Sequence, residues 1–347
     1  MFFNKLKLIS QFFLIIALFS ICLQSQDLPL IIGHRGACGH CPEHTLASYE
    51  LAIEMGADYV EPDLVSTKDG VLICRHENEI GETTDVSEKF PERKTKKTID
   101  GVEISGWFAE DFTLSEIKKL KAKERLSFRN KKDDGKYEIP TLQEMICLVK
   151  SKSKEKNREI GIYPETKHPS YHQSVGLSLE EPLVEILKQN GYIDEKSPVF
   201  IQSFEIDNLK KLKKMTKIRL IQLMDGADDK PGCAIYKGEK TTYRDMMTAD
   251  GLKDIAQYAY GIGPWKELIM PRKLGFLSEP NSLISDAHNA GLKVHIYTLR
   301  NEIQFLAFDY KGDPCEEYYK WFKMGIDGIF TDFPDTGIKA RKIFYKK

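Results

Sequence analysis

Short β-forming runs recur along the chain at residues 30–34, 58–64, 159–165, 199–203, 219–223, 258–262, 293–298 and 328–331, with helical patterns between them. "EHTLASYELAIEMG" places Leu46, Tyr49 and Ile53 at helical spacing with Gly56 as the stop, and "TLQEMICLVK" offers Thr141 as a cap. Strand, helix and strand repeated in this order require a parallel sheet, because each crossover needs a helix's length of chain. Eight such units predict an α/β fold closed into a (β/α)8 barrel of the TIM type rather than an open doubly wound sheet. A further run, "VLICRH" from Val71, follows the "KDG" turn too closely for a crossover and reads as an antiparallel return strand beside the second. Residues 77–138 are rich in charge, Thr and Gly and too long for an ordinary loop, so they read as an inserted subdomain capping the barrel mouth.

The 347 residues, 41% of them hydrophobic, suffice for one large barrel. With 51 basic against 52 acidic residues the chain lacks the positive footprint of a nucleic-acid binder. Its densest basic run, "NLKKLKKMTK", keeps Leu209, Leu212 and Met215 at helical spacing and reads as a solvated helix face. Lys5 and Lys7 precede an apolar run at 12–23, which is too short for a stable membrane span and matches a signal peptide over residues 1–25. The expectation is export, to the periplasm or cell surface, of a barrel domain over 26–347 cut near Gln26; a lipid anchor on Cys22 is the alternative. "CGHC" at 38–41 lacks the second Cys pair of a structural zinc site and reads as a local disulfide or two free thiols.

In "GADYVEPDLVSTKDG" the side-chain period of two puts Tyr59, Glu61, Asp63 and Val65 on one face of a strand, and Val60, Pro62 and Leu64 on the other. The Cα atoms of the two acids then lie roughly 6 to 7 Å apart, within reach of one cation and uncomfortable as unpaired buried charges. Barrel active sites sit at the C-terminal strand ends. There the sequence supplies His34 and Arg35 on the first strand, Glu61 and Asp63 on the second, His76 on the return strand, and Glu165 with Lys167 on the third. Three carboxylates suit a hard cation such as Ca2+ or Mg2+, two histidines suit proton transfer, and arginine with lysine suits a phosphate. The set asks for a phosphoester.

The run from "IIGHRGACGHCPEHTLASYE" through "GADYVEPDLVSTKDGVLICRH" resembles the glycerophosphodiester phosphodiesterases, and "YPETKHP", "VFIQSFE", "VHIYTLRNE" and "MGIDGIFTDFPD" continue the likeness in order to the C-terminus. It is nearest the exported bacterial type. The resemblance implies one divalent cation, Ca2+ before Mg2+, held by Glu61, Asp63 and Glu165, with His34 and His76 as the acid/base pair. It implies phosphate binding by Arg35 with Lys167 beside it, and contacts to the glycerol end from Gln202 and Phe204. The expected substrate is a small glycerophosphodiester, such as glycerophosphocholine or glycerophosphoethanolamine, split to glycerol 3-phosphate and an alcohol. The chain departs from the pattern in carrying Glu77 after the second histidine where many members have Asp, which leaves open what orients His76. Two other readings stand beside this one: a phospholipase D or sphingomyelinase type of phosphodiesterase acting on lipids, and a surface binding protein that keeps the fold without the activity.

Overall fold

The computed structural model describes residues 28–346. The expected signal segment, its cut near Gln26 and the anchor on Cys22 lie outside the described residues.

Pro62 offers no N–H to a ladder, and it divides the second barrel strand. The barrel strands are β1 (Leu30–His34), β2 (Tyr59–Glu61 and Asp63–Ser66), β3 (Gly161–Ile162 and Glu165–Thr166), β4 (Phe200–Ser203), β5 (Arg219–Met224), β6 (Gly261–Pro264), β7 (Lys293–Leu299) and β8 (Gly328–Thr331). The breaks in β2 and β3 face each other, so both halves pair, and the Glu165 amide donates to the Pro62 carbonyl across the gap at 2.9 Å. Every neighbouring pair from β1 to β8 is parallel, and β8 returns to β1, closing the barrel. The 58–64 and 159–165 runs are thus each two short pieces rather than one strand.

Inside the barrel Ile32, Tyr163, Phe200, Ile221 and Phe330 pack together. Tyr163 stacks on Phe200 at 4.9 Å, and its hydroxyl shares a 2.7 Å hydrogen bond with His295 Nδ1. A Cβ on Gly161 would lie 2.0 Å from the Tyr59 ring, so glycine makes room for the aromatic filling. The interior is a packed plug, and only its upper end is free for chemistry. Outward-facing Val60, Leu64, Ile201 and Leu220 pack against helix residues such as Tyr49, Ile53, Leu142 and Leu209.

The helix Leu46–Glu54 is capped by Thr45, whose hydroxyl accepts from the Ser48 amide. It buries Tyr49 and Ile53, whereas Leu46, at its first turn, is 38% exposed. The lysine-rich run forms the helix Ile206–Met215, burying Leu209 and Leu212 and leaving Lys210, Lys213 and Lys214 in solvent. Tyr258, read as a strand start, instead follows the helix Ala249–Ala256, and its hydroxyl donates to Gln222 Oε1 at 2.8 Å. Cys38 and Cys41 are both free and buried.

The return strand Leu72–Cys74 pairs antiparallel with β2. Beyond it come a short helix, Val86–Lys89, and a hairpin of Thr95–Ile99 with Val102–Gly106. Ile80, Phe112, Ile117 and Leu120 from this segment share one apolar cluster with Val65 and Ile73, so it is packed onto the second barrel strand.

Candidate active site

Register sets the acids at one level. His34 pairs with Glu61 between β1 and β2, Asp63 with Glu165 between β2 and β3, and Glu165 with Gln202 between β3 and β4. One carboxylate oxygen from each of Glu61, Asp63 and Glu165 lies within 4.8 Å of the others. All three residues are buried. Burial, then the neighbouring Asp63 and Glu165 charges, push the Glu61 carboxyl well above the usual range. Burial also lifts Glu165 up to about 8, against the pull of Lys167, whose Nζ lies 2.9 Å from Glu165 Oε1. Asp63 goes the other way: burial opposes its charge, and the hydrogen bond from His44 Nε2 at 2.9 Å overrides it.

Glu61 Oε2 accepts from the Arg35 amide at 2.7 Å and its Oε1 from Gln202 Nε2 at 3.1 Å. Asp63 Oδ1 and Gln202 Oε1 are buried with no hydrogen-bond partner. Oxygen acceptors left unpaired inside a ring of three carboxylates are the donor set of a hard divalent cation, so the residues present fit one.

Two imidazoles flank this ring. His34 Nδ1 shares a 2.6 Å hydrogen bond with Asp332, just past β8, which leaves Nε2 as the acceptor of Arg35 Nε at 3.2 Å. His76 Nδ1 lies 2.8 Å from Glu77 Oε1, and its Nε2 faces Lys167 Nζ at 3.4 Å. Burial, with Arg35 beside it, pushes His34 down to about 4. Burial, Arg35 and Lys167 push His76 down to about 3. Burial and these cations favour the neutral form of both rings, and each Nε2 faces a cationic side chain, Arg35 for His34 and Lys167 for His76. Arg35 and Gly36 both have positive φ, and a Cβ on Gly36 would lie 2.4 Å from Ser48 Oγ, so the turn after β1 needs glycine there. That turn sends Arg35 inward, 3.1 Å from Glu43 and 3.5 Å from Asp63.

His34, Arg35, Glu61, His76, Glu165, Lys167, Gln202 and Phe204 all line one cavity of about 370 Å³, with Asp63 buried just beneath it. Lys167 Nζ stands 5.4 Å over the Phe204 ring. Sequence reasoning missed the residues that hold this set in place. Arg129, from the segment after the return strand, pairs with Asp332 at 2.5 Å and with Glu302 at 2.7 Å; Arg300 reaches Asp332 at 2.9 Å. Glu77 does orient His76, and its other oxygen binds His168 Nε2 at 2.7 Å, while His168 Nδ1 binds Asp100 at 2.7 Å. The burial of His168 is outweighed by these two carboxylates, which raise it to about 9. Asp332 stands in "TDFPD" and His44 in "PEHT", but nothing local marks either as a partner of a residue so far away in the chain.

A family model described as the Glycerophosphoryl diester phosphodiesterase family matches residues 34–336. A glycerophosphodiester phosphodiesterase of Arabidopsis thaliana is 40% identical over 88% of this chain and 84% of its own. One of Haemophilus influenzae is 32% identical over 92% of this chain and 91% of its own. Among solved structures, a putative glycerophosphoryl diester phosphodiesterase from Silicibacter pomeroyi superposes with a TM-score of 0.65 at 18% identity, covering 91% of this chain and 93% of that one. An Oleispira antarctica phosphodiesterase, solved in complex with the product sn-glycerol-3-phosphate, has a TM-score of 0.60 at 21% identity, covering 90% and 96%. These likenesses of fold and sequence define a barrel hydrolase of phosphodiesters. The chain belongs to the glycerophosphoryl diester phosphodiesterase family.

Proposed function

We propose that this enzyme hydrolyses small glycerophosphodiesters, such as glycerophosphocholine or glycerophosphoethanolamine, to glycerol 3-phosphate and an alcohol, and that it needs a divalent cation to do so. The observation that carries the reading is the convergence of Glu61, Asp63 and Glu165 within 4.8 Å, beside two imidazoles whose Nδ1 atoms are each held by a carboxylate. The product held by the Oleispira antarctica relative supports the glycerol 3-phosphate end.

Arg35 and Lys167 hold the diester's negative charge, the arginine through its planar fork. A cation held by Glu61, Asp63 and Glu165, calcium in preference to magnesium, supplies Lewis-acid neutralisation of the phosphoryl oxygens. One of His34 and His76 accepts the proton of the attacking hydroxyl at Nε2; the other takes up a proton at Nε2 when the diester's negative charge offsets Arg35 and Lys167, and delivers it to the departing alcohol. Asp332 and Glu77 keep each ring's Nδ1 occupied so that Nε2 points to the substrate. Gln202 and Phe204 face the glycerol end.

The test is an assay for released glycerol 3-phosphate across several head groups, with and without chelator. Chelation should abolish release and calcium should restore it; full turnover in excess chelator refutes the reading. Residues 1–25 carry the export proposal, which predicts a periplasmic or cell-surface chain whose N-terminus is near Gln26.

A further inference from the structure

The hairpin after β6 pairs Arg272–Lys273 with Phe276–Leu277 around Leu274 and Gly275. Both turn residues have positive φ, +52° at Leu274 and +84° at Gly275, the backbone that favours Asn-Gly or Gly-Gly. Leucine is a poor occupant of this conformation, and here it is also 88% exposed. Neither backbone preference nor solvent accounts for it.

Leu274 is not alone. Phe276 is 54% exposed, Phe308 61%, Ile303 67% and Phe128 50%. These belong to three loops that leave the C-terminal side of the barrel, and contacts join them. The Phe276 and Phe308 rings meet edge to face at 5.2 Å, and Phe128 meets Phe305 at 5.9 Å. The hairpin is pinned: the Phe308 amide donates to the Gly275 carbonyl at 2.9 Å, and the Leu277 amide to Asp309 at 2.8 Å. Arg272 and Phe305 also line the catalytic cavity, so this apolar rim is continuous with its mouth. Contiguous exposed apolar side chains of this kind mark an interaction surface.

Charge selects the partner. Lys273, Lys311, Lys131 and Lys132 stand in the same three loops, and among the described residues none of the four is in a salt bridge with an acid. Rigid apolar tips among unpaired lysines complement an anionic lipid surface, where the tips enter the headgroup boundary and the lysines meet the phosphates. We propose that the rim of Leu274, Phe276, Ile303 and Phe308 docks the barrel mouth onto an anionic bilayer.

The experiment uses the full chain with tryptophan introduced at single positions and vesicles carrying brominated acyl chains. Trp107, Trp265 and Trp321 are buried or half-buried, and the wild-type signal is subtracted. Leu274→Trp is expected to shift to the blue and be quenched by vesicles of mixed phosphatidylglycerol and phosphatidylcholine, more weakly in high salt or with phosphatidylcholine alone. Ile193→Trp, at a 60% exposed position on the opposite, N-terminal side of the strands, should stay unquenched. Because the probe is local, attachment through another segment does not imitate the result. Leu274→Trp left unquenched, quenched no more than Ile193→Trp, or shifted to the blue without vesicles through self-association would each overturn the proposal. Leu274→Trp should keep its turnover of soluble glycerophosphocholine, showing the variant to be folded.

Discussion

His34 and Asp332 lie 298 positions apart in sequence and share a 2.6 Å hydrogen bond, which joins the first barrel strand to the segment after the last. Barrel closure makes them neighbours. The carboxylate is itself held by Arg129 and Arg300, so the imidazole is tied to one tautomer by a fixed partner.

Asp332→Asn should therefore cost kcat far more than KM. The amide can present its N–H to Nδ1 and favour the tautomer that carries its proton on Nε2, so that Nε2 has no lone pair to accept a proton. A loss of about 10²- to 10⁴-fold in kcat is the scale of a misplaced acid or base. Steady-state kinetics on glycerophosphocholine measure it, with circular dichroism to verify folding.

Glu165→Gln should abolish activity and stabilise the metal-free protein. Its carboxyl is held up to about 8 by burial and by Asp63, so in the bare fold it is neutral at pH 5 and a buried like charge above its pKa. A raised carboxyl pKa removes stability as pH climbs from the unfolded value toward the folded one. The variant's gain in stability in the presence of chelator, read as a rise in Tm, should thus be near zero at pH 5 and grow toward pH 8 and above, to on the order of a few kcal/mol at most. Thermal melts at both pH values check this.

His168 gives the opposite sign. Its pKa, raised to about 9 by Asp100 and Glu77, means that its contribution to stability is complete below about 6.5 and is lost as pH rises through 9. The shift corresponds to about 3 kcal/mol as an upper bound. His168→Gln should flatten the fall in Tm between these pH values. It should also lower kcat, because Glu77 loses the partner that holds it against His76.

The strand-end residues were legible because a parallel barrel fixes which end of each strand carries chemistry, and period two fixes which side chains share a face. His34, Glu61, Asp63 and Glu165 followed from that alone. Pro62 signalled a local disturbance, but the matching break beside Pro164 and the amide bridging the two could not be foreseen from one strand. Tyr258 shows why boundaries slipped: a buried aromatic is as much at home at a helix end, bonded to Gln222, as in a strand. Asp332, Arg129, His44 and His168 were missed for a single reason. Each acts through a partner that only the closed barrel or the segment after the return strand brings near.

The most direct test of the cation site is calorimetric titration of calcium into chelator-stripped protein, wild type beside Glu61→Gln, Asp63→Asn and Glu165→Gln. One ion per chain in the wild type, with binding lost or weakened at least about tenfold in each variant, about 1.4 kcal/mol, is the predicted result. Absence of binding to the wild type, or unchanged affinity in all three variants, would contradict the account.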